Sequence, residues 1–363
     1  MVLQDAPVDY IVKGEGEVTF TELINALGTG REIRSISGLV FKDNIGDIVE
    51  TPDREFIGDL DSIPFPAYDL LQIGDYFKDP HFHGGLNKYN LVLPILTSRG
   101  CPFKCSFCYH AMGYTFRPRS PQNVVAEIDW LVKDFGIREI QIEDDTFNFK
   151  IERAKEIMHL LSQRDYKLSI VFPSGLKFNM IDEELMDLFK KVGVYRIHYG
   201  IETAVPRIQQ LINKPINREK LDRVIELTDK ANISSHGFFI IGFPTETEDE
   251  IQQTIDYASK SRLATANFSI LKLFPGTLLG DKYLKKTEKF EDDFSFSYDA
   301  VTDNLSCVSD DRLKELQKSA MTSFYFRPSR LWRIFRTTPN KKQLFTRNLA
   351  IVSSLIFKGK TKY

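Results

Sequence analysis

Residues 91 to 109 read LVLPILTSRGCPFKCSFCY, an apolar run that feeds directly into a loop carrying three of the four cysteines. The run, "LVLPILTS", has the length of a buried strand, and five more follow it: "REIQIED", "KLSIVFP", "VYRIHYGIE", "SHGFFIIGFP" and "TANFSILKL". Between them lie amphipathic stretches such as "VVAEIDWLVKDF", "IERAKEIMHLLSQ" and "DEELMDLFKKV". Short apolar runs alternating with helical periodicity specify parallel βα units. The expected fold class is therefore α/β, with residues 91–280 forming a partial (βα)6 TIM-like barrel. In such barrels chemistry sits at the C-terminal ends of the strands. The sequence obeys that rule. Cys101, Cys105 and Cys108 follow the first run, Glu143, Asp144 and Asp145 end the second, and Pro173, Ser174 and Gly175 end the third. Glu202 and Thr203 end the fourth, and Gly242 and Pro244 the fifth.

On the N-terminal side, residues 1–60 offer a short strand "VDYIV", the turn "GEGE", a helix "VTFTELINAL" and a hairpin "ISGLVFKDNIGDIVETPDREFI" turning at Asn44, Gly46 and Asp47. These pieces enclose little core alone. Pro64 and Pro66 mark a linker over 61–90. On the other side, residues 281–363 form a helical extension. From Arg327 to Tyr363 there are ten Lys or Arg and no Asp or Glu. In "RPSRLWRIFR", Arg327, Arg330, Arg333 and Arg336 recur every third residue among Leu331, Trp332, Ile334 and Phe335. Such a basic amphipathic helix suits an anionic lipid surface. It equally suits a helix packed on the barrel with solvated arginines, or phosphate contacts to nucleic acid, the least favoured of the three.

Composition excludes several classes. Apolar residues at 42%, charged residues at 27% and a formal net charge of -2 describe an ordinary soluble chain without a nucleic-acid-binding field. Three crowded cysteines are unlike a secreted disulfide framework, so a reducing cytoplasm is expected. The stretch Leu349 to Phe357 is far short of the roughly 20 apolar residues needed to span a bilayer.

The cysteines admit three readings. Zinc wants four ligands, usually two C-x-x-C knuckles, whereas here the spacing is C-x3-C-x2-C and Cys307 lies far along the chain. A redox pair at Cys105 and Cys108 leaves Cys101 without a role. A four-iron cluster normally takes one thiolate per iron, so three leave one iron open to a small molecule.

With Phe107 before the last cysteine and the prefix "SRGCP", the segment resembles the radical S-adenosylmethionine (SAM) superfamily, and within it the subset whose barrel follows a cobalamin-binding domain. The resemblance implies that Cys101, Cys105 and Cys108 hold a [4Fe-4S] cluster, and that the open iron chelates S-adenosyl-L-methionine. Reductive cleavage then yields a 5'-deoxyadenosyl radical for hydrogen abstraction. It further implies that "IEDDTF" takes the SAM amino group through Glu143, Asp144 and Asp145, and that Glu202 of "YGIET" bonds the ribose. The resemblance also implies that Gly242 of "GFFIIGFP" lies along adenine. In "PSGLKF", with Ser174, Lys177 stands where many relatives carry arginine, and lysine cannot make the two-pronged carboxylate contact. His198 shares strand parity with Glu202 and is a candidate acid–base group, against a structural core role. His81, His83 and His110 flank the cysteines in sequence and read as loop surface over a peripheral iron ligand; Tyr109 and Tyr114 read as packing residues over a radical relay.

The segment "VDYIVKGEGEVTFTELINAL" resembles the last strand, turn and helix of the cobalamin domain, with Gly14, Glu15 and Gly16 flanking the cofactor. The fold expected of residues 1–60 is therefore a partial doubly wound domain, with cobalamin itself an open expectation. The implied activity is methylation or cyclisation at an unactivated carbon of a lipid, tetrapyrrole or natural product. Implied partners are a small, hydrophobic substrate, an electron donor such as flavodoxin or ferredoxin, and a membrane surface met by the basic tail. The alternatives are methylthio transfer to RNA or protein, and a non-enzymatic iron–sulfur sensor or electron carrier.

Overall fold

The structure is a computed structural model that describes residue 3 and residues 7–78, 87–284, 301 and 304–341; His81 and His83 lie outside the described residues. The chain divides into two compact units. The first comprises Met1–Phe65, Ser98–Phe103 and His110–Arg119, and the second Pro66–Thr97, Lys104–Tyr109 and Ser120–Tyr363.

The second unit holds all six anticipated strands: β4 (Val92–Ile95), β7 (Glu139–Ile142), β8 (Ser169–Phe172), β9 (Val194–Glu202), β10 (Ser234–Ile241) and β11 (Thr265–Ile270). They form one parallel sheet in chain order, and among the described residues β4 and β11 do not pair. The helices between strands are α2 (Pro121–Phe135), α3 (Ile151–Ser162), α4 (Glu183–Val192), α5 (Pro206–Leu211), α6 (Arg218–Lys230) and α7 (Glu248–Lys260). Local chemistry sets their ends. Ser120 caps α2 through the Asn123 amide, Pro121 occupies its first turn and Gly136 closes it in the left-handed conformation. Thr247 and Glu250 form a reciprocal capping box on α7. Strand alternation sorts the core. Phe239, Ile241, Phe268 and Ile270 join the main apolar cluster with the helices, while His236, Phe238, Asn267 and Ser269 take the opposite parity and stay half-buried.

Beyond β11 come α8 (Leu278–Tyr283), α9 (Asp310–Tyr325) and α10 (Pro328–Thr337). The last corrects the expectation of a lipid-facing or solvated arginine stripe. Arg330 is 1% exposed; its guanidinium donates to the carbonyls of Ala258, Ser259, Ser261 and Leu263 and lies 3.8 Å from the Phe324 ring centre. Arg333 and Arg336 both bond Asp229, a buried residue of α6. The cause is a set of unsatisfied carbonyls at the end of α7 together with one buried carboxylate, which attract cations from a distant segment. The helix turns outward Leu331, Trp332 and Phe335 instead. No helix among the described residues is long and apolar enough to cross a membrane.

In the first unit, β1 (Tyr10–Val12), β2 (Leu39–Lys42) and β3 (Ile48–Glu50) pair in the order β1-β2-β3, antiparallel throughout, and α1 (Gly16–Thr29) packs Leu23 and Ala26 on Ile36, Leu39 and Phe41. A doubly wound sheet is parallel, so this part departs from the expected topology. The hairpin at Asp43–Asp47, with Gly46 at φ 90°, reverses the chain directly and needs no crossover. A second antiparallel pair, β5 (Ser98–Arg99) and β6 (Arg117–Pro118), closes the neck of the cysteine-bearing loop.

Candidate functional site

The cysteine segment crosses from one unit to the other in sequence, and each unit fixes its own part. In the first, Gly100 at φ 81° is obligatory, since an added Cβ would lie 2.2 Å from the Thr115 carbonyl oxygen, and the Cys101 amide donates to Gly113 at 3.1 Å. His110 stacks on Tyr114 at 4.1 Å and its Nε2 meets the Phe103 carbonyl at 2.7 Å, so the structure gives this histidine a loop-packing role. In the second, the Cys108 amide turns back to the Cys105 carbonyl, the Ser106 amide donates to Ile212, and the Ser106 carbonyl accepts from Leu279. Asn213 Nδ2 donates to the Lys104 carbonyl at 2.7 Å. Phe107 meets Phe243 edge-on at 6.0 Å, which makes it a packing residue for the loop.

No disulfide joins the four cysteines; Cys101 and Cys105 are half-buried, Cys108 and Cys307 exposed. Among the described residues no three His, Cys, Asp or Glu side chains are gathered in metal-holding geometry.

The acidic rim separates into distinct parts. Asp144, 1% exposed, places one oxygen on the Thr97 amide and the other on the Thr97 hydroxyl, both at 2.6 Å, while Arg153 bonds the Thr97 carbonyl. Its carboxylate thus ties the end of β4 to the end of β7. Glu143 is half-buried and accepts from Ser174 Oγ at 2.8 Å; Asp145 is exposed. The turn bearing Lys177 is held by Asn148, whose amide donates to the carbonyls of Lys177 and Met180 and accepts from the Lys177 amide.

Glu202 ends β9 in the left-handed conformation, φ 62°, after the ladder with β10 shifts register between Phe238 and Phe239. The bulge brings its carboxylate over Gly200, where an added Cβ would stand 2.8 Å from Glu202 Oε1 and from Lys214 Nζ. Lys214 donates to Oε1 at 2.6 Å, and both residues are almost fully buried. Burial opposes the Lys214 charge, but the charges of Glu202, Cys105 and Cys108 outweigh it and hold the ammonium above its usual range. Lys214 therefore sits in the electrostatic reach of both thiols. Nothing in the sequence singled it out. It precedes Pro215 in an unremarkable loop, and only the fold carries it back to Glu202.

Deeper in the sheet, His198 is 5% exposed, with its ring 4.6 Å from that of His236 and 5.2 Å from that of Phe238. His236 bonds Thr265 Oγ1 at 2.9 Å and Asn267 Oδ1 at 3.3 Å, and Asn267 Nδ2 donates to Ser269. Burial, reinforced by Arg196, pushes His236 down to about 4, so it is neutral at working pH. The sequence reading missed this polar run along β10 and β11. It also missed Glu246, which accepts the amides of Gly242 and Phe243 at 2.7 and 3.0 Å and thereby sets the turn at Gly242, φ 88°.

At the other turn, Gly14 has φ 72° with open space around its missing side chain, and Gly16 opens α1. Glu15 accepts from Arg99, Arg117 and the Ile57 amide.

Residues 95–258 match the family described as the radical SAM superfamily. A protein of Pyrococcus horikoshii named uncharacterized methyltransferase PH0819 is 34% identical over 333 residues, which are 90% of this chain and 70% of that one. Cytidylyl-2-hydroxyethylphosphonate methyltransferase of Streptomyces wedmorensis is 30% identical over 295 residues, 73% of this chain and 55% of that one. Among solved structures, the radical SAM methyltransferase TsrM of Kitasatospora setae, with cobalamin and a [4Fe-4S] cluster bound, superposes with a TM-score of 0.61 at 22% identity, covering 76% of this chain and 53% of TsrM. The chain thus spans between about half and 70% of the length of these relatives.

Proposed function

The chain belongs to the radical SAM superfamily, and from that premise we propose that it is an enzyme that reductively cleaves S-adenosylmethionine in order to methylate or cyclise a small molecule at an unactivated carbon. The observation that carries the reading is the buried Glu202–Lys214 pair at the end of β9, next to the segment that bears Cys105 and Cys108. The charges of both cysteines act on that ammonium, which places the pair beside the cysteine segment. The donor chemistry fits the group: thiols at C-x3-C-x2-C spacing are soft ligands, carried on a segment held by backbone bonds. When bound, a [4Fe-4S] cluster on Cys101, Cys105 and Cys108 supplies the electron that splits SAM into methionine and the radical that takes hydrogen from substrate.

The protein's own residues bind and orient. In this reading Glu143, steadied by Ser174, accepts the SAM ammonium, a charge-assisted bond. Lys214 meets the SAM carboxylate, the contact for which Lys177 was the sequence candidate, and Glu202 accepts from the ribose hydroxyls through the oxygen Lys214 leaves open. The Gly242–Phe243 turn offers backbone to adenine. The substrate lies along His198, Phe238, Asn267 and Ser269, a wall with aromatic faces and neutral polar edges.

The solved structure of TsrM holds cobalamin. The first unit's residues do not by themselves fit it, because Glu15 is committed to two arginines and three short antiparallel strands cannot cover a corrinoid. Membrane contact belongs to the proposal through the outward Leu331, Trp332 and Phe335 rather than through arginines. Co-sedimentation with phosphatidylglycerol vesicles, abolished by Trp332→Glu, is the expected sign, and no binding to such vesicles removes it.

The decisive experiment is anaerobic reconstitution and reduction with SAM, read by mass spectrometry for 5'-deoxyadenosine. Product from the wild-type chain and none from Cys105→Ala is expected. A chain with a full cluster and no SAM binding contradicts the enzyme reading.

A further inference from the structure

Glu15 belongs to the "GEGE" turn, yet its carboxylate points to neither solvent nor an open pocket. It is 8% exposed and bonds both arms of the loop that contains the three cysteines: Arg99 Nη1 on β5 at 2.9 Å, and Arg117 Nη1 on β6 at 2.8 and 2.9 Å. The Ile57 amide donates to the same carboxylate at 2.6 Å. Arg117 extends the grip, donating to the Ile57 carbonyl at 2.7 Å and to the Met112 carbonyl inside the loop at 3.0 Å, with its guanidinium 4.7 Å from the Phe56 ring centre. Phe56 in turn lies against Gly113, where an added Cβ would come within 2.6 Å of the ring, and the Gly113 carbonyl holds the Cys101 amide. All these residues lie in the first unit.

The neck itself is only two residue pairs, Ser98 with Pro118 and Arg99 with Arg117. A ladder that short does not hold a loop of this length closed. One carboxylate shared by the facing arginines does. Cys101 is two residues from Arg99 and one hydrogen bond from the Met112–Gly113 segment, so its position follows from the clamp.

We propose that Glu15 is a positioning residue for the cysteine loop, fixing Cys101 through Arg99 and Arg117 and so governing how firmly the iron–sulfur cluster is held. This rests on the reading of the three cysteines as cluster ligands. It gives the N-terminal unit a task that does not depend on cobalamin.

The test uses the full chain, reconstituted anaerobically, as wild type, Glu15→Gln, Glu15→Ala, Arg54→Ala and Cys101→Ser. Arg54 ties Thr19 and Glu22 in the same unit without touching the neck, so it controls for general loosening. The readouts are iron per chain, the rate of iron loss to a ferrous chelator, the electron paramagnetic resonance spectrum of the reduced cluster, and the melting temperature. Supporting partners of metal ligands typically contribute 10- to 100-fold in affinity, so Glu15→Gln should release iron roughly tenfold faster or more, with an altered spectrum. Arg54→Ala should release it at the wild-type rate. If Glu15→Ala does not fold, the isosteric Glu15→Gln decides. Iron loss and spectrum unchanged in Glu15→Gln, or equally accelerated in Arg54→Ala, overturn the proposal. A wild-type chain that assembles no cluster, or a Cys101→Ser variant that holds one as well, overturns the cluster reading itself.

Discussion

Three buried carboxylates, one in the first unit and two in the second, face different company. Glu15 is saturated by two arginines and an amide, and these bonds, against the cost of burial, keep it below the usual carboxylate range. Glu202 has a single cation, Lys214, on one oxygen, and sits in a left-handed conformation that a non-glycine residue adopts only when its surroundings impose it. Glu246 has two backbone amides and, among the described residues, no ion-pair partner. Saturation goes with holding the chain together. Incomplete pairing on strained backbone goes with receiving a ligand, and an unpaired carboxylate becomes sensitive to pH.

The largest expected effect lies in the Glu202 pair. Lys214→Met leaves a buried carboxylate without its cation, which typically costs about 3–5 kcal/mol of stability. Urea titration of the reduced apoprotein reads it. The double variant Lys214→Met with Glu202→Leu should recover much of that loss while SAM binding stays absent. A double variant no more stable than the single one breaks the contrast with Glu15, because the pair would then be as structural as the clamp.

Glu246 comes next. Burial pushes its carboxyl up to about 7 from 4.5, with amide bonds only partly opposing. Between those values the folded chain holds a proton that the unfolded chain has released. Its contribution to stability is therefore fully present below about 4.5 and is lost as pH rises through 7, a difference of about 3 kcal/mol. Glu246→Gln should be more stable than wild type at pH 8 and flatten this part of the profile. A wild-type stability that rises between pH 5 and 8 as steeply as in the variant would show that Glu246 is ionised throughout.

Much of this was legible in the sequence, and what was hidden shares a cause. The six strands announced themselves because each is a short apolar run bounded by polar or glycine clusters, a local signal. The cysteines did so by spacing. Glu143 and Asp144 are adjacent carboxylates of the same charge, and only the fold of the loop just past β7 sends one toward Ser174 and the other to Thr97. The arginines of α10 read as a surface stripe because their buried partners, Asp229 and the carbonyls ending α7, lie 67 to 107 residues away in sequence. The Lys214–Glu202 pair and the arginine partners of Glu15 were hidden for the same reason: they arrive through tertiary structure.

Asp144 gives the third prediction. Asp144→Asn removes the charge but keeps the shape, and a buried hydrogen bond to a charged group contributes about 1.5–3 kcal/mol. The variant should lose about that much stability, while its SAM affinity, measured by equilibrium dialysis, stays within about twofold of wild type on the same scale. A large loss of SAM binding with intact stability would return Asp144 to the ligand site and place Glu143 in the structural role.

The smallest effect belongs to Ser174. Its hydroxyl donates to Glu143 at the rim, in an exposed position where water can replace it. Ser174→Ala should leave stability unchanged and weaken SAM binding by a few-fold, about 0.5–1 kcal/mol, because Glu143 loses orientation and keeps its charge. The size of this loss sharpens the contrast among the carboxylates. A drop near that of Glu143→Gln would mean that Glu143 is held as tightly as Glu15, its partner fixing geometry rather than easing it. A small drop would mark it as a ligand-receiving carboxylate of the Glu202 kind, whose remaining lone pairs are completed by SAM.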